Sequence, residues 1–215
     1  MAVLSVVSLG TGSAEYLTRG GEAAMRNAKQ LVLRTGRSPI ASFLTEQGCD
    51  FDTLDDLYEQ CEDFDAFHQA AAVTLFSRMK EGDLCYVVSD AAFDGTVFAL
   101  QRLKPRDLEL RIVPGVSLAD CCLSLIKRQS GHVRIMSACE LEESKLLPDE
   151  PLLLCELYSR ECAGDCKLKL MELLPDELPV TLITGREEGG ILQAEEIPLM
   201  ELDRQEKYDH LMAVY

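Results

Sequence analysis

Three apolar runs in the first half of the chain each stop at a turn of small residues and each lead into a stretch of helical periodicity. Val3–Leu9 runs into Leu9-Gly10-Thr11-Gly12-Ser13, Leu84–Ser89 into Ser89-Asp90-Ala91-Ala92, and Leu108–Val113 into Val113-Pro114-Gly115-Val116-Ser117. Strands that are apolar without alternation need cover on both faces, which is the signature of parallel strands in an α/β sheet. In such a sheet the turns that follow the strands gather along one edge, and ligands bind at that edge. The repetition therefore constrains the fold class and the functional edge together.

The rest of the chain extends the pattern. Further strands are expected at Gln30–Arg34, Val133–Ser137, Leu152–Leu157, Val180–Thr184, Glu195–Leu199 and Leu211–Tyr215. Helices fill the gaps, most clearly at Gly21–Ala28, Asp63–Met79, Gly95–Leu103, Leu118–Arg128 and Asp165–Leu173, the last ended by Pro175. The acidic stretch Ser137–Glu150 separates a half rich in βα units from a shorter half that closes on hairpin-type strands. The expected division is 1–116 and 117–215, two α/β lobes with a ligand cleft between them. The final strand candidate stops at Tyr215, so the sequence reads as one piece of a longer polypeptide.

Composition narrows the function classes. With 47% hydrophobic residues in 215, the chain can bury a sizeable core. Lys plus Arg number 21 against 37 Asp plus Glu, a net charge of −16 that repels polyphosphate backbones. Arg34, Arg37, Arg102, Arg106 and Arg128 are too dispersed to form a basic stripe, so nucleic acid is not an expected partner. Nine cysteines, an odd number scattered through apolar runs, point to a reducing cytoplasm. Cys162 and Cys166 share a helical face, yet His68, His132 and His210 supply no ligand pair near them in sequence. Buried thiols are the reading there, and no metal is expected. The apolar N-terminus lacks a basic leader and reads as a strand. No run approaches the ~20 apolar residues of a spanning helix.

The three turns carry the candidate chemistry. In Gly10-Thr11-Gly12 the glycines let backbone N–H groups approach a ligand, although a plain strand-to-helix turn fits as well. The dinucleotide fingerprint needs a third glycine where Ala14 or Glu15 stands, and an acid where Arg34-Thr35 stands. A nucleotide-dependent oxidoreductase is therefore disfavoured. Asp90 either accepts hydrogen bonds from a ligand or caps the helix that follows. Pro114-Gly115 forces a tight turn, and Ser117 is placed to cap Leu118–Arg128. Convergence of the three at one sheet edge favours the ligand reading.

The order of these turns, with Leu17-Thr18 after the first, resembles the tetrapyrrole methylase superfamily of S-adenosylmethionine-dependent methyltransferases. The likeness continues through Leu152–Tyr158, Leu170–Leu174, Pro179–Gly185, Leu199–Leu202 and His210–Tyr215. Within the superfamily, Leu152–Tyr158 and Lys167 through Thr181 most resemble the methylase-like domain fused ahead of a MazG-type nucleoside triphosphate pyrophosphohydrolase. The resemblance implies S-adenosylmethionine as cofactor, lined in the first lobe by Gly10, Thr11, Gly12, Asp90, Ala91, Phe93, Ser117 and Leu118. In the second lobe it implies Leu157, Gly185 and His210. It also implies a homodimer and a linked MazG-type domain. The first loop departs from the family's usual Gly-x-Gly-Pro-Gly by lacking the Pro and last Gly, and Ala92 replaces a Gly in the second. No acceptor-activating base is identifiable. Two functions follow: a methyltransferase for a small or peptide-like acceptor, or a cofactor-binding regulatory module without methyl transfer, serving the pyrophosphohydrolase.

Overall fold

The computed structural model describes residues 2–141, 145–185 and 190–215. The chain divides into two compact units. The first comprises Met1–Ser117 with Glu187–Gly190, and the second Leu118–Arg186 with Ile191–Tyr215.

The first unit is built on β1 (Val3–Ser8), β2 (Gln30–Leu33), β3 (Asp52–Thr53), β4 (Leu84–Val88) and β5 (Glu109–Val113). All pair in parallel, in the order β3-β2-β4-β1-β5. Ser8 stands opposite Val88, and Val7 opposite Val113, so the three turns read from the sequence leave neighbouring strands at one edge. The chain passes from β1 across β4 to β2, and from β4 across β1 to β5. Connections that leave adjacent strands in opposite directions open a crevice at their C-terminal ends.

Helices α1 (Arg19–Asn27), α2 (Pro39–Glu46), α3 (Asp55–Gln60), α4 (Phe64–Arg78) and α5 (Gly95–Leu103) complete this unit. On one face Leu4, Val6, Tyr86 and Val88 pack with Phe67, Ala71 and Leu75 of α4 and Val97 and Leu100 of α5. On the other, Val7, Leu9, Cys85 and Val87 pack with Met25 of α1 and Ile40 and Leu44 of α2. Both faces are covered, which is why all five residues of β4 are buried.

The second unit contains α6 (Leu118–Leu125), β6 (Arg134–Ser137), β7 (Leu152–Cys155), α7 (Arg160–Met171), β8 (Pro179–Gly185), β9 (Leu192–Pro198) and β10 (Ala213–Val214). Its sheet runs β6-β7-β10-β8-β9, with only β6 and β7 parallel. Leu154, Leu182 and Val214 meet Ala163, Cys166 and Leu199 in its own core. Lys167 on α7 pairs with Asp203 at 2.6 Å.

Several elements differ from the expected ones. Helix α7 begins at Arg160 and not at Asp165, because the Ser159 side chain accepts the Cys162 N–H and caps it there. Helix α6 stops at Leu125, and Lys127 behind it has φ of 56°. Strand β10 is only Ala213–Val214, although Thr181 and Tyr215 still exchange backbone hydrogen bonds of 2.9 Å. Of the acidic stretch Ser137–Glu150, residues 142–144 lie outside the described residues. All nine cysteines are free thiols. Among the described residues no helix is long and apolar enough to cross a membrane.

Candidate functional site

The turn after β1 folds back on β4. Leu9 N–H donates to the Val88 and Ser89 carbonyls at 3.0 and 3.1 Å, and Gly10 N–H to Ser89 at 2.7 Å. Gly10 and Gly12 have φ of 58° and 82°, and a Cβ on Gly12 would stand 2.6 Å from Ser38 Oγ. Between them Thr11 is 1% exposed, and its hydroxyl has no hydrogen-bond partner among the described residues. Gly190 lies against this turn, where a Cβ would come within 2.8 Å of the Thr11 carbonyl and hydroxyl oxygens. Sequence reasoning missed Gly190, which is some 180 positions away along the chain.

The other two turns are stitched to the first. Asp90, buried, accepts the Ser117 hydroxyl at 2.6 Å and the Ala92 N–H at 3.0 Å. Ala91 N–H donates to Ser8 Oγ at 3.0 Å, tying the β4 turn to β1. Half-buried Phe93 donates its N–H to the Asp90 carbonyl. Gly115 presses on β1 so closely that a Cβ would stand 1.9 Å from the Ser8 carbonyl oxygen. Gly10, Thr11, Gly12, Asp90, Ala91, Phe93 and Ser117 thus share one edge, and buried Leu118 opens α6 directly after them. The helix cap weighed for Asp90 belongs instead to Asp94, whose carboxylate accepts the Val97 N–H at 3.0 Å. Helix α5 starts at Gly95, which places position 94 in the capping geometry and leaves Asp90 one turn too early.

In the second unit the remaining predicted residues also gather at one edge. Leu157, just past β7, donates its N–H to the Met212 carbonyl at 3.0 Å. Gly185 ends β8, and a Cβ there would meet Leu211 Cδ1 at 2.7 Å, beside half-buried His210.

A polar cluster that the sequence did not signal flanks the first edge. Arg34, past the end of β2, donates its N–H to Val87, and its guanidinium stands 3.0 Å from the Asp94 carboxylate. His68 Nδ1 on α4 lies 3.0 Å from Thr96 Oγ1. Burial lowers the His68 pKa, with Arg34 acting the same way, and Asp94 and Asp65 oppose them only in part. Asp55 shapes the loop after β2. Burial pushes its carboxyl up, but the Thr35 hydroxyl, the Gly36 N–H at 2.8 Å, Thr53 and the Arg37 charge together hold it below the ordinary range. The Cys85 and Cys122 thiols are pushed up to about 12, chiefly by burial.

A doubly wound sheet with ligand-type turns on three adjacent strands, continued by a unit on a mixed sheet, is the architecture of a class of methyltransferases. Residues 3–184 match the family Tetrapyrrole (Corrin/Porphyrin) Methylases, and the chain belongs to it. Members of this family take a methyl group from S-adenosylmethionine. The uncharacterized protein YabN of Bacillus subtilis (strain 168) is 28% identical over 216 residues, covering 99% of this chain and 44% of that protein. The chain thus spans less than half the length of this relative. Among solved structures, the cobalamin biosynthesis precorrin-6Y methylase from Archaeoglobus fulgidus superposes with a TM-score of 0.65 at 15% identity, covering 99% of this chain and 95% of that one. Diphthine synthase gives 0.65 at 15% identity, over 99% and 88% of the two chains. The uroporphyrin-III-C-methyltransferase from Thermus thermophilus gives 0.65 at 17% identity, over 99% and 91%. At these identities the superpositions establish the fold.

The residues at the first edge suit such a cofactor. Gly10 and Gly12 keep the turn after β1 free of side-chain bulk, and the Asp90 carboxylate stands at the same edge, held by Ser117 and Ala92.

Proposed function

We propose that this chain is an S-adenosylmethionine-dependent methyltransferase domain for a small or peptide-like acceptor. The observation that carries the reading is the family match over residues 3–184, with the three strand-end turns gathered at one edge around the Asp90–Ser117 pair. S-adenosylmethionine, when bound, supplies an electrophilic methyl group on a sulfonium. Its transfer is an in-line displacement, so the protein's part is to position the reactants and exclude water. Gly10, Thr11 and Gly12 would hold the cofactor through backbone groups. Asp90 would present an anionic acceptor kept in one orientation by Ser117 and Ala92. Ala91 and Phe93 would add contact surface.

The net charge of −16 supports an acceptor other than RNA. We place the protein in the cytoplasm as a homodimer, joined to a MazG-type pyrophosphohydrolase in the longer chain. The 44% coverage of YabN supports the longer chain alone. Ala92, in place of the family's Gly in the second turn, and the first turn without the family's Pro and last Gly support a second reading, a cofactor-binding regulatory module without methyl transfer.

Calorimetric titration with S-adenosylhomocysteine tests the part common to both. Binding is expected, and at a hundredfold excess over Kd it should stabilise the fold by about 2.7 kcal/mol, raising Tm by roughly 5 °C or more. A folded chain that binds neither S-adenosylhomocysteine nor S-adenosylmethionine rejects both readings. Transfer of labelled methyl groups to a small-molecule or peptide extract then separates the enzyme from the regulator.

A further inference from the structure

Asp90 is held from two sides of the first sheet edge. On the β5 side its carboxylate accepts the Ser117 hydroxyl at 2.6 Å. On the β2 side the hold is indirect and passes through Asp94. The Asp94 N–H donates to the Asp90 carbonyl at 3.0 Å and the Phe93 N–H to the same oxygen at 3.2 Å, so residues 90–94 form one closed turn. The Asp94 carboxylate lies 3.0 Å from the guanidinium of Arg34, and Arg34 is anchored in turn by its own N–H, 3.0 Å from the Val87 carbonyl of β4. Behind the turn the His68 ring packs so close to Gly95 that a Cβ there would stand 2.4 Å from it, and its Nδ1 lies 3.0 Å from Thr96 Oγ1. Arg34, His68, the turn and Ser117 all belong to the first unit.

Stability alone is a weak reason for this ion pair. The Arg34 and Asp94 side chains are 14% and 1% exposed. Taking two charges out of water costs about as much as their attraction returns, and an apolar pair of the same volume commonly serves a fold as well. Helix α5 does not need a charge at its cap either, since a neutral Asn caps as well as Asp. What an apolar pair cannot supply is a fixed distance and direction. A guanidinium, with its planar array of donors, supplies both. The constraint falls on the turn whose first residue is Asp90.

We infer that Arg34 is a positioning residue for S-adenosylmethionine binding: through Asp94 it sets the turn that carries Asp90, so that the Asp90 carboxylate meets the ligand in one orientation. The inference rests on the cofactor reading above and adds to it a residue that acts through two others. A binding group is effective only when its neighbours hold it in the productive geometry, and Ser117 on one side with Arg34 and Asp94 on the other form such a support.

The test uses the whole chain, thermal melts, and calorimetric titration with S-adenosylhomocysteine well below Tm. Three changes are compared: Arg34→Met with Asp94→Asn, which removes both charges and keeps a capping side chain; Arg34→Lys, which keeps the charge and loses the planar fork; and Asp90→Asn. The neutral pair should melt close to the parent and bind S-adenosylhomocysteine about tenfold more weakly. Arg34→Lys should lose less, about threefold, because a point charge restores the attraction but not the direction. In the Asp90→Asn background the neutral pair should cost no further affinity, since the residue through which it acts is already altered. A purely structural pair would give the same fold-loss in both backgrounds. Parent-like affinity for the neutral pair or for Asp90→Asn, or losses that multiply when the two are combined, overturns the role of Arg34 and leaves the cofactor reading standing. If the neutral pair does not fold, Arg34→Lys decides: a loss that vanishes in the Asp90→Asn background supports the inference, and parent-like affinity overturns it. A folded parent that does not bind S-adenosylhomocysteine overturns the cofactor reading and this inference together.

Discussion

Gly115 is the residue with least room to change. Alanine there would drive its Cβ to 1.9 Å from the Ser8 carbonyl oxygen, a backbone atom that cannot rotate aside, so the β5 turn would have to lift off β1. Gly115→Ala should cost about 2 to 3 kcal/mol in chemical denaturation and should also weaken S-adenosylhomocysteine binding, because Ser117 and its partner Asp90 move with the turn. The two aspartates after β4 separate by the same kind of measurement. Asp94→Ala removes the α5 cap and takes an ion-pair partner from the Arg34 guanidinium, whose side chain is 14% exposed, for a combined loss of about 3 to 5 kcal/mol. Asp90→Ala forgoes charge-assisted bonds to Ser117 and Ala92, a smaller loss of about 1.5 to 3 kcal/mol. Equal destabilisation by the two would refute this assignment of roles. The sequence made the turns visible because glycine, proline and small residues after apolar runs leave few alternatives. It left the cap undecided between two aspartates, because the first residue of α5 decides it. Arg34 and His68 stayed invisible as site neighbours, since their partners at 94 and 96 are brought close only by packing of β2, α4 and α5.

At the scale of elements, α4 and α5 hold a titration signal in their contact. His68 is bound to Thr96 across that contact, with Asp94, Asp65 and Arg34 as the charges that face it. Its folded pKa lies below the unfolded value of 6.5, so the unfolded chain takes up the proton first. The stability due to neutral His68 is complete above pH 6.5 and declines as pH falls through the folded pKa. Tm should therefore drop between pH 7.5 and 5.5, and His68→Asn, which can still meet Thr96, should flatten that slope. A slope unaltered in the variant would assign it to other groups. Element recognition itself tracked burial. The five strands of the first sheet with long apolar runs or helical neighbours were legible except β3, whose two residues carry no periodicity. Helix α7 was legible through Cys162, Cys166 and Leu170, buried at helical spacing, but its start was misplaced because the Ser159 cap was overlooked. Strand β9 begins at Leu192, ahead of the expected Glu195, and ends at Pro198, since it is an edge strand with mostly exposed residues and gives a weak apolar signal.

Across the whole molecule the dominant electrostatic fact is the excess of acid, a net of −16 at pH 7 with a pI near 4.6. Composition alone discloses this, and it opposes the compact state by self-repulsion. Two ion pairs pull the other way: Arg34–Asp94 at 3.0 Å and Lys167–Asp203 at 2.6 Å, all four side chains at most a quarter exposed. The Lys167 hydrogen bond, joined by its charge, holds the Asp203 carboxyl below its ordinary range. The stability this provides is present above the unfolded carboxylate pKa of 3.8 and is lost as pH falls through the lower folded value, so it is intact at neutral pH. Added salt screens separated surface charges strongly, shortening the Debye length from about 30 Å at 0.01 M to about 8 Å at 0.15 M, while close, poorly solvated pairs are screened far less. Repulsion should therefore weaken more than attraction, and Tm at pH 7 should rise as sodium chloride increases over that range. The rise should fade near pH 4.6, where the net charge vanishes while Asp203 stays ionised. A Tm that falls with salt at pH 7, measured by scanning calorimetry, would mean that favourable surface pairs outweigh the net acidity in setting the stability of this chain.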